Sequence, residues 1–240
     1  MKQLLLLIVL GPFTLFSNSG DSIASKKLSI GFTFSPDYCY RKITPDAASF
    51  WIASHRDSIE IPKFGFTTGF NLAYKFNKRW SIETGFLFSD KGEKTIKQSL
   101  SGFVVVNPND PSLPSHYVFV HHYCYLDIPV KANLYLLTKR TKIYLTAGAT
   151  CNVFLTKGSQ TISEFSDGHS SSSTNYNNID GYSRFNFAYF AGLGFSYDFT
   201  DKFYLKLEPT YRRSINSIID TPIKGYLYSM GLNTGVYYIF

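Results

Sequence analysis

Three histidines near the middle of the chain are of the residue type best suited to acid–base or metal chemistry. His116, His121 and His122 offer imidazoles that can serve as a general base or a metal ligand. Neighbouring residues of a strand point to opposite faces, so His121 and His122 would not act on one substrate together. The sequence shows no matching nucleophile and carboxylate for them. We therefore interpret them as surface residues and predict no catalytic site, no cofactor and no metal site.

Charged residues inside strand-like segments are the second set that could do chemistry. They fall on the small and polar face of their segments, which would be the inner face of a barrel. A continuous row would carry ions or protons, whereas mutually paired charges would fill the lumen. Eight strands enclose room for little more than side chains, so the sequence favours a structural network. The predicted interior residues are Glu83, Asp127, Lys131, Arg184, Lys206, Glu208 and Arg212. Aromatic residues expected beside them are Tyr135, Tyr144, Phe190, Tyr204 and Tyr237.

Two further sets of residues show weaker patterns. The segment from Lys157 to Ser183 is rich in Ser, Thr and Asn, and this composition is more typical of a solvated loop than of a cation or glycan site. Cys39, Cys124 and Cys151 are too few and too scattered for a disulfide framework. We interpret the cysteines as unlinked apolar residues.

The elements that position these residues are segments in which large side chains alternate with small or polar ones. A period of two predicts β-strands with unlike faces. The last fifteen residues show the pattern up to the end of the chain. The eight predicted strands are Leu28–Ser35, Lys63–Phe76, Trp80–Ser89, Leu126–Leu136, Ile143–Val153, Arg184–Phe199, Phe203–Arg212 and Tyr226–Phe240.

Short and long connections alternate strictly between these strands. The tight ones are Asn77–Arg79, Thr138–Thr141 and Thr200–Lys202, and the long ones are Cys39–Pro62, Lys91–His122, Lys157–Ser183 and Asn216–Gly225. This plan predicts an up-and-down barrel with both termini at the tight-turn end and the first strand paired with the last. Within the second long connection we expect a hairpin formed by Phe103–Val106 and Tyr117–Val120. Pro129 and Pro209 lack a ladder N–H, so we expect a bulge at each.

Composition indicates which solvent each face meets. Of 240 residues 18% are aromatic and only 17% are charged, which leaves little charge to cover a water-exposed surface. Glycine-rich inner faces suit a narrow barrel, and the large faces suit hydrocarbon. The predicted fold class is therefore all-β: an eight-stranded antiparallel transmembrane barrel with long external loops and short periplasmic turns. The predicted periplasmic aromatic girdle comprises Tyr74, Phe76, Trp80, Tyr197, Phe199, Phe203, Tyr238 and Phe240.

The start of the chain predicts export. Lys2 precedes an apolar run, Leu4–Leu10, and small residues follow from Ser17, as in a signal peptide. We assign residues 1–20 to the signal, with cleavage as late as about residue 24, and residues 27–240 to the barrel domain. The formal charge of +7 comes without a basic helix or aromatic–basic motif, which favours an anionic membrane surface over nucleic acid as partner.

One segment also resembles a known family. Tyr125-Leu126-Asp127-Ile128-Pro129-Val130-Lys131 resembles the Tyr-Leu-Glu-Ile-Pro segment of the PorT-like outer-membrane β-barrel family, with Asp127 in place of the usual Glu. The resemblance covers roughly Lys27 to the end and implies an eight-stranded barrel in the outer membrane of a double-membraned bacterium. Some members of that family are linked to secretion or gliding machinery, so it implies envelope or secretion-system proteins as partners beside outer-membrane lipid.

The function expected from the sequence is that of a non-enzymatic outer-membrane barrel, serving as a structural or protein-interaction component of the cell envelope. The alternatives are a barrel enzyme acting on lipid or protein at the outer leaflet, and a narrow channel. The terminal Phe240 is expected, by resemblance to outer-membrane barrels, to mark the chain for assembly.

Overall fold

The architecture comes from a computed structural model that describes residues 28–99, 113–177, 181–219 and 221–240. The predicted signal peptide and the predicted strand Phe103–Val106 lie outside the described residues. Within the described ranges the elements are, in chain order, β1 Leu28–Thr44, α1 Phe50–Ile59, β2 Glu60–Lys75, β3 Trp80–Thr95, β4 Gln98–Ser99, β5 Pro114–Thr138, β6 Thr141–Phe165, β7 Ser170–Asn177, β8 Phe185–Asp198, β9 Phe203–Ser214 and β10 Lys224–Ile239.

Eight of these strands close into a ring. The order around it is β1-β2-β3-β5-β6-β8-β9-β10, and pairing between β1 and β10 and between β5 and β6 completes the circle. All of the pairings are antiparallel. The predicted eight-stranded barrel is confirmed, and closure leaves these strands without free edges.

The seam between the first and last strands is regular. It runs without a register shift from Ser29 opposite Ile239 to Thr44 opposite Lys224. The backbone N–H of Phe240 donates a further hydrogen bond of 3.0 Å to the carbonyl of Leu28. The last strand therefore takes the predicted place beside the first.

The two faces of the strands are as unlike as their sequences predict. On β1, exposed Phe32 and Phe34 alternate with buried Thr33 and Ser35. Phe32 keeps 51% of its surface exposed while Asn71, on the neighbouring strand's inner face, keeps 1%. Large apolar side chains thus cover the outside of the ring and polar ones fill its inside, which suits a hydrocarbon solvent around the barrel.

The tight turns form where the sequence predicts them. In the β2–β3 turn, the Asn77 side-chain oxygen accepts hydrogen bonds from the N–H groups of Arg79 (2.8 Å) and Trp80 (2.9 Å). In the β8–β9 turn, the Thr200 hydroxyl accepts one from the Phe203 N–H at 2.9 Å. These side-chain caps satisfy backbone donors at the ends of the ladders.

The described parts of the connections at the opposite end contain more regular structure than expected. β5 and β6 have 25 residues each, whereas about 9 to 11 suffice to span a bilayer. Their outer parts, residues 114–124 and 156–165, pair with each other and carry β4 and β7 on their free sides. We call this four-stranded extension the projecting sheet. Tyr117–Val120 lies in it within β5, paired with β6.

The first long connection contains the helix α1, which the sequence analysis missed. The helix has ten residues and buries only Ala53, so it lacks the apolar stripe by which a helix is recognised in sequence. Phe50, Trp51 and Ile52 in its first turn are exposed. In the described ranges, no helix has both the length and the apolar character needed to cross a bilayer.

The bulges expected at the two prolines are wrong. Pro129 pairs in register with Thr150 of β6. Toward β3 the ladder stops at Thr84 and resumes at Leu87 without a shift, so the proline interrupts one ladder rather than bending the strand. Pro209 is similar. It pairs in register with Leu232 of β10, and the ladder toward β8 is interrupted between Thr210 and Leu207 without a shift. Because proline has no N–H, each ladder loses one hydrogen bond at this point. The pairs before and after the proline keep the strands in register.

Replacing Leu193 with arginine tests which face meets lipid. Leu193 is exposed on β8 opposite Leu145 of β6, in the middle of the apolar wall. We expect Leu193→Arg to lower the free energy of unfolding from lipid vesicles by about 2 to 4 kcal/mol.

The matched control is Phe119→Arg, at a similarly exposed residue of the projecting sheet. It should change stability by less than about 1 kcal/mol, because its side chain lies beyond the bilayer. Equal effects of the two variants in urea titrations would contradict the assigned faces.

Candidate functional site

The interior of the ring is the site to which most predicted polar residues belong. At its centre, the Glu83 carboxylate of β3 is fully buried. It forms an ion pair with the ammonium of Lys206 and lies 3.4 Å from that of Lys131. The Tyr237 hydroxyl donates a hydrogen bond of 2.8 Å to it. Strands β3, β5, β9 and β10 are thereby connected across the lumen.

A second carboxylate continues this network. Glu208 accepts hydrogen bonds from the Lys131 ammonium at 3.1 Å and from the Tyr144 hydroxyl at 3.0 Å. The amide of Asn233 donates another at 3.2 Å. Lys131 therefore bridges two glutamates, and each glutamate has both a cation and a neutral donor. Such charge-assisted bonds are the stronger kind available to a buried carboxylate.

Tyrosine rings occupy the lumen at the tight-turn end, and glycines make room for them. Tyr144 lies opposite Gly194 and Tyr237 opposite Gly31 in the ladders. A methyl group at either glycine would overlap the facing ring. The Lys206 ammonium lies 4.6 Å from the centroid of the Tyr237 ring, a cation–π distance. The five predicted aromatic residues are all buried as expected, namely Tyr135, Tyr144, Phe190, Tyr204 and Tyr237.

Nearer the end opposite the tight turns, Asp37 organises a third cluster. Its carboxylate accepts hydrogen bonds from the Arg212 guanidinium and the Ser35 hydroxyl, each at 2.7 Å, and from the Thr67 hydroxyl. Arg212 also donates to the side-chain oxygen of Asn233. The sequence analysis missed Asp37 because its predicted strand ended at Ser35. Its place in the same alternation was the available signal.

The segment that carries the family resemblance lies in β5 and contributes to the same interior. Tyr125, Asp127 and Lys131 point inward and are buried, whereas Val130 is exposed on the outside. The Lys91 ammonium donates to Asp127 at 2.8 Å and lies 5.2 Å from the Tyr125 ring centroid. The polar members of the motif therefore hold the network together.

Arg184 does not belong to the interior. It lies just before β8, and its side chain is exposed. Its carbonyl accepts a hydrogen bond of 2.8 Å from the Phe154 N–H. The sequence analysis started this strand one residue too early, and alternation then assigned Arg184 to the inner face. The other six predicted residues line the interior.

The space left between these side chains is small. A cavity of about 30 Å³ lies between Lys91, Asp127, Phe190 and Arg212, among others, and this volume corresponds to about one water molecule. The dense filling is what the structural interpretation of the charged residues requires.

Beyond the polar interior, at the end opposite the tight turns, lies an apolar plug. Tyr123, Tyr125, Ile218 and Leu227 form a buried cluster, and Phe154 packs against its edge among others. Ile218 belongs to the connection between β9 and β10 and is fully buried. That connection therefore folds inward over the lumen, an arrangement that no pattern in the sequence predicts.

Beside the plug, a buried ion cluster connects β1, β2 and β3. The Arg41 guanidinium pairs with Glu60 at 2.7 Å and with Glu93 at 3.0 Å. Glu93 also accepts a hydrogen bond of 3.0 Å from the Tyr123 hydroxyl. Outward apolar residues of β3 end at Phe88, so this cluster lies beyond the bilayer. Burial, with Glu60 nearby, raises the pKa of Glu93 to about 7 against the opposing effect of Arg41.

The three histidines have separate environments. His122 Nδ1 lies 2.8 Å from both Asp90 Oδ2 and the Lys63 ammonium, and Lys63 also pairs with Asp90 at 2.9 Å. Burial, with Lys157 nearby, lowers the pKa of His121 to about 4. His116 lies further out in the projecting sheet, opposite Glu164. No group of three or more metal-binding side chains occurs among the described residues.

The three cysteines are free: Cys39 and Cys124 are buried, and Cys151 is partly exposed. Cys39 is buried on the inner face of β1, where it pairs with Ser229 of β10. Each cysteine therefore packs as a small residue of its strand.

The predicted girdle residues lie on the outside at the tight-turn end. Their rings contact one another around the barrel, with centroids 6.3 Å apart for Phe199 and Phe203, 5.2 Å for Phe203 and Tyr238, and 5.3 Å for Tyr238 and Phe240. Tyr74 and Phe76 form a similar contact at 5.2 Å. Of the two remaining members, Trp80 is exposed and Tyr197 is half-buried. That this end faces the periplasm stays a prediction.

Comparison with known proteins shows a match to the model of a protein family. The profile of the outer membrane protein beta-barrel domain matches residues 40–240. Similar solved structures include Neisserial surface protein A, at 13% identity and a TM-score of 0.46, covering 89% of this chain and 97% of that one. The outer membrane protein OprG from Pseudomonas aeruginosa has 12% identity and a TM-score of 0.44, covering 89% and 95%. The outer membrane protease OmpT from Escherichia coli has 9% identity and a TM-score of 0.46, covering 92% and 99%. No curated protein matches the sequence.

Removing the central carboxylate tests the interior network. Glu83→Gln leaves Lys131 and Lys206 without their shared counter-charge in a buried site. We expect a loss of about 3 to 5 kcal/mol in the free energy of unfolding, measured by urea titration. The control Glu164→Gln breaks the exposed pair with Lys97 and should cost no more than about 1 kcal/mol. A Glu83→Gln barrel as stable as this control would contradict the network.

The pKa of Glu93 predicts a pH dependence of stability. Its folded-state pKa of about 7 exceeds the ordinary value of 4.5, so the folded state binds the proton more tightly. Stability should fall as pH rises from 4.5 to 7, by on the order of 3 kcal/mol, and stay lower above that range. His121 acts in the opposite direction, because its lowered pKa makes stability rise with pH between 4 and 6.5.

Glu93→Gln isolates the first effect. Unfolding titrations across this range should show that the variant lacks the decline due to Glu93 and gains stability relative to the unmodified chain above pH 7. A constant difference between the two proteins from pH 4 to 8 would refute the assignment.

Proposed function

Since the chain belongs to the outer membrane protein beta-barrel domain family, we propose that it is a non-enzymatic barrel that binds another envelope protein through its projecting sheet. The family points to the bacterial outer membrane as its location. The filled interior supports a structural role for the barrel itself. A surface for a partner must then lie outside the lumen.

The observation that carries the proposal is the free edge of β7. This strand has eight residues, all exposed, and it pairs with β6 on one side. In the part of the chain that the structure describes, no strand pairs with its other side. Its sequence, SSSSTNYN, contains no charged residue and no proline.

An edge of this kind favours strand addition. Natural edge strands are usually short, charged, bulged or covered, because their backbone N–H and C=O groups otherwise pair with another chain. β7 is neither short nor charged, and its eight residues are all exposed. The partner class that fits is a protein segment in extended conformation, which would continue the sheet through main-chain hydrogen bonds.

Finer assignments follow the sequence resemblance. We infer that the chain is a PorT-like member of the family, with residues 1–20 as its signal peptide and residues 27–240 as its barrel. Its partner would then be a component of an envelope or secretion assembly. Tyr125, Asp127 and Lys131 of the resembling segment point inward, so this motif builds the interior and leaves the external task open.

The His122–Asp90 contact favours a second candidate, an enzyme acting on lipid or protein at the outer leaflet. A carboxylate that orients an imidazole is one part of a hydrolytic site. The Lys63 ammonium contacts both groups, which is more typical of a structural ion cluster. His122→Asn separates the candidates: an enzyme would lose hydrolysis of a lipid or peptide substrate while the barrel stays folded.

Site-specific cross-linking tests the proposed interaction. A photoreactive residue at Ser172 of β7 should capture a protein partner in native membranes, identified by mass spectrometry. Thr174→Lys in that chain should reduce the captured partner about tenfold, because a charged side chain on an edge strand opposes pairing.

The matched control is Thr141→Lys, which makes the same substitution at the tight-turn end of β6 and should leave capture unchanged. Capture that survives Thr174→Lys, or that Thr141→Lys reduces equally, would contradict a role for the β7 edge.

A further inference from the structure

The turns at the tight-turn end of the barrel are strongly basic. They comprise residues 76–79, 139–140 and 199–202 and present five exposed cations, which we call the basic rim: Lys78, Arg79, Lys139, Arg140 and Lys202. Among the described residues of these turns, Asp201 is the one exposed acidic side chain. The rim therefore has a positive surplus, even when the α-carboxylate of Phe240 is counted against it. This surplus is a sum of charges and does not depend on which of them pair.

Asp198, a further carboxylate close to these turns, is matched by a cation of its own. It lies at the end of β8 and pairs with the half-buried Lys142 at 2.5 Å. The pair adds no net charge, so it leaves the surplus of the basic rim unchanged.

The basic rim is continuous with the aromatic girdle. Arg79 directly precedes Trp80, and Lys202 directly precedes Phe203. Both aromatic side chains are exposed on the outer wall. A cation thus follows the apolar wall without any intervening residue in two of the three turns.

In the third turn, Arg140 packs on a girdle ring. Its guanidinium carbon lies 5.4 Å from the centroid of the Tyr197 ring, within the range of a cation–π contact. Its Nε atom donates a hydrogen bond of 3.2 Å to the Asp198 carbonyl. These contacts hold the guanidinium beside the outer wall. A planar guanidinium suits a phosphate, because its N–H groups match two phosphate oxygens at once.

The three turns lie at nearly one height along the barrel axis. The ladder partners of Leu28, followed strand by strand around the ring, return to β1 at Tyr38, ten residues along. This stagger tilts the strands, so residues at one height are offset by about one residue per strand from their ladder partners. With that offset Trp80, Tyr197 and Phe203 share one height, and the turns lie just beyond it. The basic rim is therefore a ring parallel to the membrane plane.

The shortness of the turns fixes the depth of the basic rim. Each turn has two to four residues, so its side chains stay close to the girdle. Tyrosine and tryptophan rings of such a girdle lie at the membrane–water interface. Lysine and arginine side chains just beyond the rings reach the level of the lipid headgroups.

We propose that the basic rim binds the phosphates of anionic phospholipids in the leaflet at the tight-turn end. The cations would pair with the phosphates, and the neighbouring girdle rings would contact the upper parts of the acyl chains. An acidic protein segment would also suit a positive surface. The lipid is favoured because the rim continues the lipid-facing wall at headgroup depth. This site is independent of the β7 edge and of any partner that binds there.

Quenching of Trp80 by brominated lipids tests the proposal. The chain has two tryptophans, Trp51 and Trp80, so Trp51→Phe leaves Trp80 as the reporter beside Arg79. The barrel is reconstituted in vesicles of equal parts phosphatidylcholine and phosphatidylglycerol, with bromine on the upper acyl chains of one lipid or the other. Phosphatidylglycerol should occupy the positions around Trp80 about fivefold more often, the factor that one Lys or Arg contributes beside an anionic surface.

Neutralising the basic rim should remove this preference. In the same background, Arg79→Gln/Arg140→Gln/Lys202→Gln takes one cation from each turn, and the two brominated lipids should then quench Trp80 nearly equally. The matched control is Lys42→Gln/Arg184→Gln/Arg213→Gln, which removes three exposed cations at the opposite end of the barrel. It should keep the preference, because bromine quenches only on contact.

Salt tests the same interaction without a substitution in the basic rim. Raising NaCl from about 0.1 M to about 1 M shortens the Debye length from about 10 Å to about 3 Å, so the preference should fall. Equal quenching by the two lipids at low salt overturns the proposal and favours an acidic protein segment. A preference that the control reduces as much as the rim variant overturns it too. So does a preference that survives both the rim variant and high salt.

Discussion

The pairing of buried charges across the lumen is the constraint on which the structure depends. Glu83 of β3 and Lys206 of β9 lie on strands that are not neighbours in the ring. Their ion pair therefore spans the interior, and Lys131 extends it to a third strand. Removing ions from water is favourable only when counter-charges and hydrogen bonds replace the hydration. The lysines and glutamates provide the counter-charges for each other, and the hydroxyls of Tyr237 and Tyr144 provide hydrogen bonds.

This constraint divides the molecule along the barrel axis. In the part of the barrel that crosses the bilayer, the outer wall is apolar and the lumen is filled with side chains. Neither surface offers polar groups to a partner. At the end opposite the tight turns, β5 and β6 extend beyond the ring, and the β9–β10 connection folds inward over an apolar plug containing Ile218. The free edge of β7 lies there. External chemistry can thus change without disturbing the network below it.

The alternation of side chains predicted the barrel well because each strand has two different solvents. Phe32 and Thr33 could not exchange faces without exposing polar groups to hydrocarbon and burying rings in a narrow lumen. The same reasoning failed at segment ends. At Arg184 the alternation continues past the start of β8, so the residue was wrongly assigned to the interior; at Asp37 the predicted strand ended too early, although β1 and its alternation continue. A bulge was expected at Pro129 because proline cannot donate to a ladder. Pairing of Pro129 with Thr150 of β6 keeps the strand in register instead.

The amino-acid pattern alone is sufficient to predict the eight-stranded ring, its faces and its tight turns, because a period of two and short connections are local properties. The structure beyond the bilayer could not be predicted in this way. Helix α1, the long β5 and β6 hairpin with its β7 edge, and the plug at Ile218 depend on contacts between distant segments. Polar sequences in water leave no alternating pattern, so their structure follows from packing and pairing rather than from the order of residue types.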